Sequence, residues 1–204
     1  MMHGRQGERT TGIREFFAAR AVGWETRYPD DTPAYAAAVG ELGLLPGGRA
    51  LDVGCGTARA LPLLRGAVGA SGTVVGVDLT PEMLREAAAL GRRGAGALVE
   101  ADSELLPFRE GVFDAVFAAG LVHHLPDPAA GLRELARVTG PGGRLALFHP
   151  LGRAALAARR GHGLRPDDVR ARPRIGRLLD ATGWELLLLD DAENRYLALA
   201  VRRR

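Results

Sequence analysis

The sequence predicts an α/β protein built on a doubly wound sheet of seven strands, mostly parallel, that closes with an antiparallel C-terminal hairpin. The first observation is a pair of short apolar runs, at 50–53 and 73–77, which resemble buried parallel strands because they are continuous rather than alternating. The second is the turn between them, Gly54-Cys55-Gly56, which leads into an apolar-spaced helical segment. The third is a pair of apolar runs near the C-terminus, whose tight connection demands antiparallel pairing.

Composition favours one globular domain. The chain has 204 residues, of which 47% are hydrophobic and 25% charged. All 27 basic residues are arginine, and a net charge of +3 permits weak nucleic-acid affinity without demanding it. The single cysteine, Cys55, excludes an intramolecular disulfide and offers no metal-ligand spacing. Because there is no secretory apolar region and no apolar run of about 18 residues, we expect a cytoplasmic protein without a membrane association.

The N-terminal residues, 1–48, are expected to form helices ahead of the sheet. Met1–Gly12 is polar and is expected to fray. Ile13–Tyr28 is predicted to be a helix followed by a looser aromatic segment. Pro29–Pro33 breaks that helix, and Asp31 or Thr32 within it can cap the next one, predicted over Ala34–Leu44.

From residue 49 onward, strands and helices alternate. Thr80-Pro81 is predicted to begin a helix that ends before Gly91, and further helices are predicted from Pro128 and from Pro173. Pro141-Gly142-Gly143 is predicted to turn the chain into the fifth strand. The strands after the first two are predicted at Ala97–Glu100, Phe113–Ala118, Arg144–Phe148, Trp184–Leu189 and Tyr196–Val201, with Asp190–Asn194 connecting the last pair.

The glycine turn and its neighbouring acids predict a nucleotide-type cofactor. Asp78 ends the second strand, where an acid can accept hydrogen bonds from a ribose diol. A dinucleotide site would need a third small residue where Arg59 stands, and Asp52 would repel a pyrophosphate. Asp52 could instead attract the cationic amino-acid end of S-adenosylmethionine.

At these residues the sequence resembles the class I S-adenosylmethionine-dependent methyltransferases, which have a Rossmann-like fold. The first motif of that family is an acid followed by G-x-G-x-G, which Asp52, Gly54 and Gly56 match. Ala58 replaces the last glycine, and the replacement implies an ordinary negative φ at Ala58.

Two further segments carry the resemblance, which covers roughly residues 49–201 and points to small-molecule enzymes of the quinone-biosynthesis type. Residues 101–108 read Ala-Asp-Ser-Glu-Leu-Leu-Pro-Phe, where the family commonly has A-D-A-E-x-L-P-F. Residues 121–127 match the pattern L-x-H-H-L-x-D. In this family the leading helices lie across the pocket, although here they could equally do no more than cover the sheet.

The resemblance implies S-adenosyl-L-methionine as the cofactor of a binding core at 49–204. Asp102 would accept a hydrogen bond from the adenine amino group, and Ser103 would flank the ring. The order of the segments places adenosine over the second and third strands and the sulfonium methyl toward the fourth and fifth. The residues expected to contact the cofactor are Asp52, Gly54, Cys55, Gly56, Asp78, Leu79, Met83, Ala101, Asp102, Ser103, Ala119 and Gly120.

Three histidines are candidate catalytic residues: His124, His149 and His123. A hydroxyl acceptor needs a general base, and histidine suits this role because its unperturbed pKa is about 6.5. A carbon acceptor activated by its own structure would need none of them. Because neighbouring side chains point apart, at most one of His123 and His124 is expected to face the pocket, and the other could hold the loop through a backbone hydrogen bond.

Several classes of acceptor are disfavoured. The loop after the fourth strand lacks the Asn/Asp-Pro-Pro-aromatic motif of nucleic-acid amino methyltransferases, and Ala118 and Ala119 occupy the place of the acid in metal-dependent catechol enzymes. Nucleic acid is therefore not an expected partner, and no metal is expected. The arginine-rich segment 152–172 could bind an anionic small substrate or be a solvated face.

The predicted function is methyl transfer to a small-molecule acceptor by a monomer or homodimer, with O- or C-methylation favoured over N-methylation. Two alternatives stay open. One is a non-methylating enzyme of the same fold, and the other is a cofactor-binding scaffold that acts through a partner.

Overall fold

A computed structural model of the chain describes residues 2–27 and 31–204. The strands of its central sheet are β1 (Arg49–Val53), β2 (Thr73–Asp78), β3 (Ala97–Glu100), β4 (Phe113–Ala119), β5 (Thr139–His149), β6 (Trp184–Ala192) and β7 (Arg195–Arg202). They lie in the order β3-β2-β1-β4-β5-β7-β6. The first five strands pair in parallel, and β7 runs antiparallel between β5 and β6. The predicted fold class is confirmed, including the closing hairpin.

Helices cover both faces of this sheet. They are α1 (Met2–Ala18), α2 (Trp24–Arg27), α3 (Thr32–Glu41), α4 (Leu61–Val68), α5 (Pro81–Ala89), α6 (Pro128–Val138), α7 (Arg153–Arg159) and α8 (Arg172–Ala181), with a 3-10 turn at Arg92–Gly94. Successive strand residues point to opposite faces. Leu51 and Val116 therefore pack in one buried cluster with α6 and α8, while Ala50 and Phe117 pack in another with α3 and α4. Within the described ranges, no helix is long and apolar enough to span a bilayer.

The order of the strands creates a crevice beside β1. This strand pairs with β2 on one side and with β4 on the other, so the chain moves outward in one direction and then returns to continue in the opposite one. In open α/β sheets, ligands bind outside the carboxyl ends of the strands at such a switch point. The carboxyl ends of β1 to β5 all meet at this edge because these five strands are parallel.

The N-terminal helices differ from the prediction. α1 begins at Met2, whereas the predicted helix began at Ile13 and the residues before it were expected to fray. α1 packs against α5, and Arg14, within the predicted part of the helix, forms an ion pair with Glu100 (Nη2–Oε1 3.3 Å). α3 starts at Thr32 with Asp31 at the N-cap position. Met1 and Tyr28–Asp30, which include the start of the predicted break, lie outside the described residues.

Two predicted turns are shorter or absent. Pro141-Gly142-Gly143 lies inside β5 rather than before it, and the pairing with β4 slips between Phe113 and Ala115. Gly142 has a φ of +79°, which an irregular strand can accommodate most easily at glycine. Near the C-terminus the strands of the hairpin run longer than predicted, which leaves only Glu193-Asn194 between them.

Candidate functional site

One cavity of about 490 Å³ lies at the carboxyl ends of β1 to β5. Its wall combines residues that follow each of these strands with residues of the N-terminal helices. All twelve residues predicted to contact the cofactor line it, and so do the three predicted histidines. The structure therefore brings the whole predicted set together, while the role of each residue stays a prediction.

The glycine turn after β1 forms one side of this cavity. Gly54 has a φ of +67°, a conformation that favours glycine, and a Cβ atom there would displace the tip of the Leu121 side chain, whose Cδ1 would lie 2.9 Å away. Gly56 has a φ of +54°, and a Cβ atom there would meet no heavy atom within 4 Å. The space above Gly56 is thus open, and its backbone can be approached closely by a ligand.

Ala58 corrects a prediction about this turn. Its φ is +63°, so the expected ordinary negative φ is wrong. The Ala58 N–H donates to the Cys55 carbonyl at 2.7 Å, which closes a tight turn before α4, and the side chain is fully buried. A left-handed conformation costs a non-glycine residue roughly 1–2 kcal/mol. The surrounding packing therefore holds Ala58 in a conformation that glycine adopts freely.

Asp78 at the end of β2 braces the glycine turn. Its Oδ2 accepts a hydrogen bond from Gly56 N–H at 2.8 Å, and its Oδ1 accepts one from Thr80 N–H at 2.8 Å. Burial raises the pKa of Asp78, although these two backbone hydrogen bonds oppose the shift. Each carboxylate oxygen keeps a further lone pair, so Asp78 can also accept from a ribose hydroxyl as predicted. Asp102, after β3, also accepts a backbone hydrogen bond, from Glu104 N–H to its Oδ1 at 2.9 Å.

Asp52 lies beside Asp78 and is only 2% exposed. Burial and the charge of Asp78 raise the pKa of Asp52 to about 8. Within the described part of the chain, no arginine forms an ion pair with either carboxylate. A positively charged ligand would relieve the cost of these two buried acids. The ammonium and sulfonium groups of S-adenosylmethionine have the required charge, so the residues at this end fit the predicted cofactor.

The adjacent histidines after β4 both line the cavity, which corrects the expectation that at most one would face it. The chain turns here, with His124 N–H donating to the Leu121 carbonyl at 2.8 Å, and the two imidazole centroids lie 4.1 Å apart. Side chains in a turn need not alternate as they do in a strand. Both ring nitrogens of His123 are buried and have no partner among the described residues, so His123 is not the member of the pair that could hold the loop through a backbone hydrogen bond.

His149 follows β5 and is anchored by the backbone. Its Nδ1 lies 2.9 Å from the Leu151 carbonyl oxygen and 3.0 Å from the Leu151 nitrogen. In one tautomer Nδ1 accepts from the Leu151 N–H and Nε2 carries the proton. In the other, Nδ1–H donates to the Leu151 carbonyl, and Nε2 carries the lone pair that a general base needs.

All three imidazoles are neutral at pH 7. Burial, followed by the charges of nearby basic groups, lowers the pKa of His123 to about 2, of His124 to about 4 and of His149 to about 4. His124 and His149 can therefore accept a proton, or hydrogen-bond a ligand, without first losing one, whereas both ring nitrogens of His123 are buried.

The N-terminal segment supplies wall residues that sequence reasoning missed. Ile13, Phe17, Trp24 and Tyr35 all line the cavity. The ring of Phe17 packs edge-on against His124, with centroids 5.2 Å apart. The aromatic character of the segment is visible in the sequence, but no motif spacing connects it to the strands that it covers.

Glu25 ties this segment to the glycine turn. It accepts hydrogen bonds from Arg59 Nε at 3.0 Å, from Arg92 Nη2 at 2.9 Å and from the Thr57 hydroxyl. Burial works to raise the pKa of Glu25, but the bonds from Arg92, Thr57 and Arg59 together outweigh it and lower the pKa. Arg59 also lies 3.6 Å from Asp31. Arg59 occupies the position where a dinucleotide site needs a small residue. Its side chain instead anchors α2 through Glu25.

The chain is similar to known methyltransferases over its central half. A family model described as a methyltransferase domain matches residues 51–147. Over 107 residues the chain is 39% identical to the demethylmenaquinone methyltransferase of Bacillus cereus strain AH187, a match that covers 49% of this chain and 44% of the relative. It is also 39% identical over 110 residues to an uncharacterized 37.1 kDa protein in transposon TN4556 of Streptomyces fradiae, covering 52% of this chain and 31% of that protein. The chain thus spans less than half the length of these curated relatives.

Solved structures share the fold over most of the chain. A SAM-dependent methyltransferase from Aquifex aeolicus is 25% identical with a TM-score of 0.68, and the match covers 82% of this chain and 89% of that one. Magnesium protoporphyrin IX methyltransferase from Synechocystis PCC 6803 with bound SAH has a TM-score of 0.72 at 19% identity, covering 94% and 99%. The (4+2)-cyclase SpnF has a TM-score of 0.67 at 19% identity, covering 84% and 81%.

Proposed function

Because the chain belongs to the class I S-adenosylmethionine-dependent methyltransferases, whose cofactor is S-adenosylmethionine, we propose that it methylates a hydroxyl or carbon of a small-molecule acceptor. The observation that carries the proposal is the division of one cavity into two ends. Two buried acids without an arginine partner in the described chain lie at one end, and three neutral histidines lie at the other. The first end, which we call the donor end, suits a cationic methyl donor. The second, which we call the acceptor end, suits a methyl acceptor that must lose a proton.

The residues of the donor end bind and orient S-adenosylmethionine. S-adenosylmethionine supplies a methyl group on a positively charged sulfur. Asp52 balances positive charge, Asp78 accepts from the ribose, and Asp102 accepts from the adenine amino group. The open backbone at Gly56 lets the donor come close to the turn. Holding two reactants in alignment can contribute several kcal/mol to rate, on the order of 7–11 kcal/mol in the best cases.

The residues of the acceptor end exclude water and hold a base. The aromatic rings of Phe17 and Trp24 close the cavity on the side of the N-terminal helices. A neutral imidazole can take the proton of an acceptor hydroxyl as the new bond forms. His149 is the better-oriented candidate because its Nδ1 is anchored by Leu151. His124 is the second candidate, whereas both ring nitrogens of the neighbouring His123 are buried. A carbon acceptor would use the same alignment without the base.

Transfer of labelled methyl groups tests the proposal. Purified protein is incubated with methyl-labelled S-adenosylmethionine and a panel of phenolic, quinol and aromatic-acid acceptors, and the label in the product is counted. We expect transfer to at least one class of acceptor, with His149→Gln lowering kcat by about 100-fold or more for a hydroxyl acceptor. His162→Gln is the matched control, because His162 is exposed and lies outside the cavity. Absence of S-adenosylmethionine binding in calorimetry would sink the proposal.

The pH dependence of kcat checks the histidine assignment separately. With saturating cofactor and acceptor, kcat should stay level from pH 8 down to about 5.5, because the pKa values of His124 and His149 are near 4 rather than 6.5. Below about pH 5 the base becomes protonated and kcat falls. A decline centred near pH 6.5 would contradict a buried histidine as the base.

A reaction without methyl transfer in the same cavity is the second candidate function, and the similarity of the fold to that of a cyclase supports it. Product formation that requires S-adenosylmethionine yet leaves its methyl group in place would favour this candidate. A third possibility, a cofactor-binding scaffold, would show binding and no product.

A further inference from the structure

The acids that line the cavity all lie in one part of it. Asp31, at the start of α3, and Asp52, Asp78 and Asp102, at the ends of β1 to β3, line that part. Arg59 lines it as well, but it is already paired with Glu25 and Asp31. Among the described residues, the part that follows β4 and β5 is lined by three histidines and two arginines and by no acid. The donor end therefore suits a cation, and the acceptor end suits an anion.

The two arginines are Arg159 and Arg160, at the end of α7. Both line the cavity and are exposed, so they stand where it opens to solvent. Neither forms an ion pair within the described part of the chain, although nearby Arg153 pairs with Asp191 (Nε–Oδ2 2.8 Å). A guanidinium presents a planar fork of donors that matches a carboxylate. These two side chains are thus available to a ligand, whereas Arg153 is committed to the fold.

A buried arginine lies behind the histidines. Arg170 is 7% exposed, and its Nε and Nη2 donate to Asp168 at 3.1 and 2.9 Å. Its Nη1 has no partner among the described residues, and neither do the two ring nitrogens of His123. Both side chains line a small cavity of about 10 Å³ beside the main one. Next to the acceptor end, the described chain therefore supplies more hydrogen-bond donors than hydrogen-bond acceptors.

The positive charges of the nearby arginines affect the pKa values of the histidines. Burial is the main cause of their lowered pKa values, and the charges of Arg160 and Arg170 lower the pKa of His124 and His149 further. The same positive potential that disfavours a proton on these rings favours a negative charge on a ligand.

The remainder of the acceptor end is apolar. Phe17, Trp24, Leu151 and Leu156 line it together with Ile13. An apolar, largely planar body can pack against these side chains while a charged group stays at the opening, where the cost of removing it from water is small.

We propose that the acceptor is an aromatic or similarly apolar acid whose carboxylate binds Arg159 and Arg160 at the opening of the cavity. The inference rests on the proposed function, because it assumes that this end holds the methyl acceptor. Arg159 and Arg160 would then select the substrate by charge and orient its reacting atom toward the histidines.

Binding of two probes that differ only in charge tests the proposal without turnover. The protein is saturated with S-adenosylhomocysteine, and 2-naphthoate and 2-naphthamide are titrated into it by calorimetry. We expect the acid to bind about five- to tenfold more tightly than the amide, with a preference that shrinks as salt is raised. In the double variant Arg159→Gln/Arg160→Gln that preference should disappear while the affinity for the amide stays the same.

The matched control is Arg133→Gln/Arg174→Gln, which removes two exposed arginines outside the cavity and should preserve the preference. Equal affinity for the two probes, binding of neither, or a preference that survives the double variant would overturn the proposal. The same samples report on the proposed function separately. Normal binding of S-adenosylhomocysteine without a preference for the acid removes only the anionic acceptor, whereas loss of cofactor binding removes the proposed function itself.

Discussion

Asp52 and Asp78 show how a single residue acquires its chemistry from its surroundings. Each is an ordinary carboxylate in the sequence, yet both are buried at the ends of neighbouring strands. Asp78 is stabilised by two backbone N–H groups, whereas the pKa of Asp52 rises to about 8 because burial and the charge of Asp78 both oppose its ionisation. Asp52 is therefore protonated at pH 7 in the free protein and should ionise when a cation binds beside it.

Binding of S-adenosylmethionine should consequently release close to one proton at pH 7. With a pKa of about 8, the Asp52 carboxyl is mostly protonated at neutral pH, so its contribution to affinity should grow as pH rises toward 8 and then level off. Calorimetric titration in two buffers of different ionisation enthalpy measures the number of protons released. Asp52→Asn is the control, because it keeps the shape and removes the titration. An equal release from both proteins would contradict the raised pKa of Asp52.

Ala58 permits a second test at this scale. At a negative φ, Ala58→Gly would lose about 1.5–2 kcal/mol of unfolding free energy, through backbone entropy and one buried methyl group. At the observed φ of +63°, relief of the left-handed conformation offsets that loss by roughly 1–2 kcal/mol. We therefore expect Ala58→Gly to unfold in urea within about 1 kcal/mol of wild type.

The opposite substitution provides the contrast. Ala58→Val should lose more than about 2 kcal/mol, since the side chain is fully buried and a β-branched residue tolerates a positive φ poorly. A marked loss in the glycine variant, or a harmless valine, would show that the turn differs from the one described.

At the scale of elements, α2 owes its position to side chains rather than to its own length. It has four residues, too few to be stable alone, and it is held by the bonds from Glu25 to Arg59, Arg92 and Thr57. These partners come from the glycine turn and from the 3-10 turn after α5. The network therefore connects the N-terminal wall of the cavity to the part that is predicted to bind the cofactor.

Glu25→Gln should loosen this connection. The variant keeps the shape of the side chain but loses its charge, so we expect about 1.5–3 kcal/mol less unfolding free energy and a several-fold weaker affinity for S-adenosylmethionine. The pKa of Glu25 is lowered in the fold, so its stabilisation is present above the unfolded value near 4.5 and is lost as pH falls below it. Urea unfolding at pH 7 and at pH 3.5 measures both effects.

Glu15→Gln is the matched control, because Glu15 is exposed on α1 and lies outside the cavity. Equal stability of the Glu25 and Glu15 variants at pH 7, or an unchanged difference at pH 3.5, would contradict the role of the network.

At the scale of the whole molecule, the cavity draws on almost every layer of the fold. Its wall takes residues from the N-terminal segment, from the ends of five strands and from α7. No single unit contains the site, so a ligand that binds there stabilises the folded chain as a whole. The division into N-terminal helices at 1–48 and a core at 49–204 stays a prediction.

Saturation with S-adenosylmethionine should therefore raise the Tm of the protein. At about 100 times its Kd, a ligand adds roughly 2.7 kcal/mol, which corresponds to about 5–10 °C for a chain of this size. Asp78→Asn should remove most of that rise, because an amide cannot accept from both Gly56 and Thr80 through its two terminal atoms.

Asp114→Asn provides the comparison. Asp114 also accepts a backbone hydrogen bond, from Arg49 N–H at 2.8 Å, but it does so at the opposite end of β1 from the cavity. Thermal unfolding with and without cofactor should show the full rise in this variant. The same rise in the Asp78 variant would argue that Asp78 does not contribute to binding.

Local pattern determined much of this protein. Continuous apolar runs and turn residues were enough to predict the seven-stranded sheet and the closing hairpin. The resemblance carried by Asp52, Gly54 and Gly56 and by the segments 101–108 and 121–127 indicated the family and the cofactor. Such features are encoded by residues close together in the chain, because strand burial and backbone turns depend on neighbours. The individual contacts of the predicted site residues remain predictions, although one cavity contains them all.

Tertiary structure alone decided the conformation of Ala58, the facing of both adjacent histidines, the network around Glu25 and the separation of charge within the cavity. Glu25 and Arg92 are separated by 67 positions, and no local pattern connects them. Their meeting depends on how helices pack over the sheet, and the pKa of each buried group depends on what that packing brings near it. Propensity and spacing describe the path of the backbone, whereas the chemistry of the site follows from which side chains the completed fold places together.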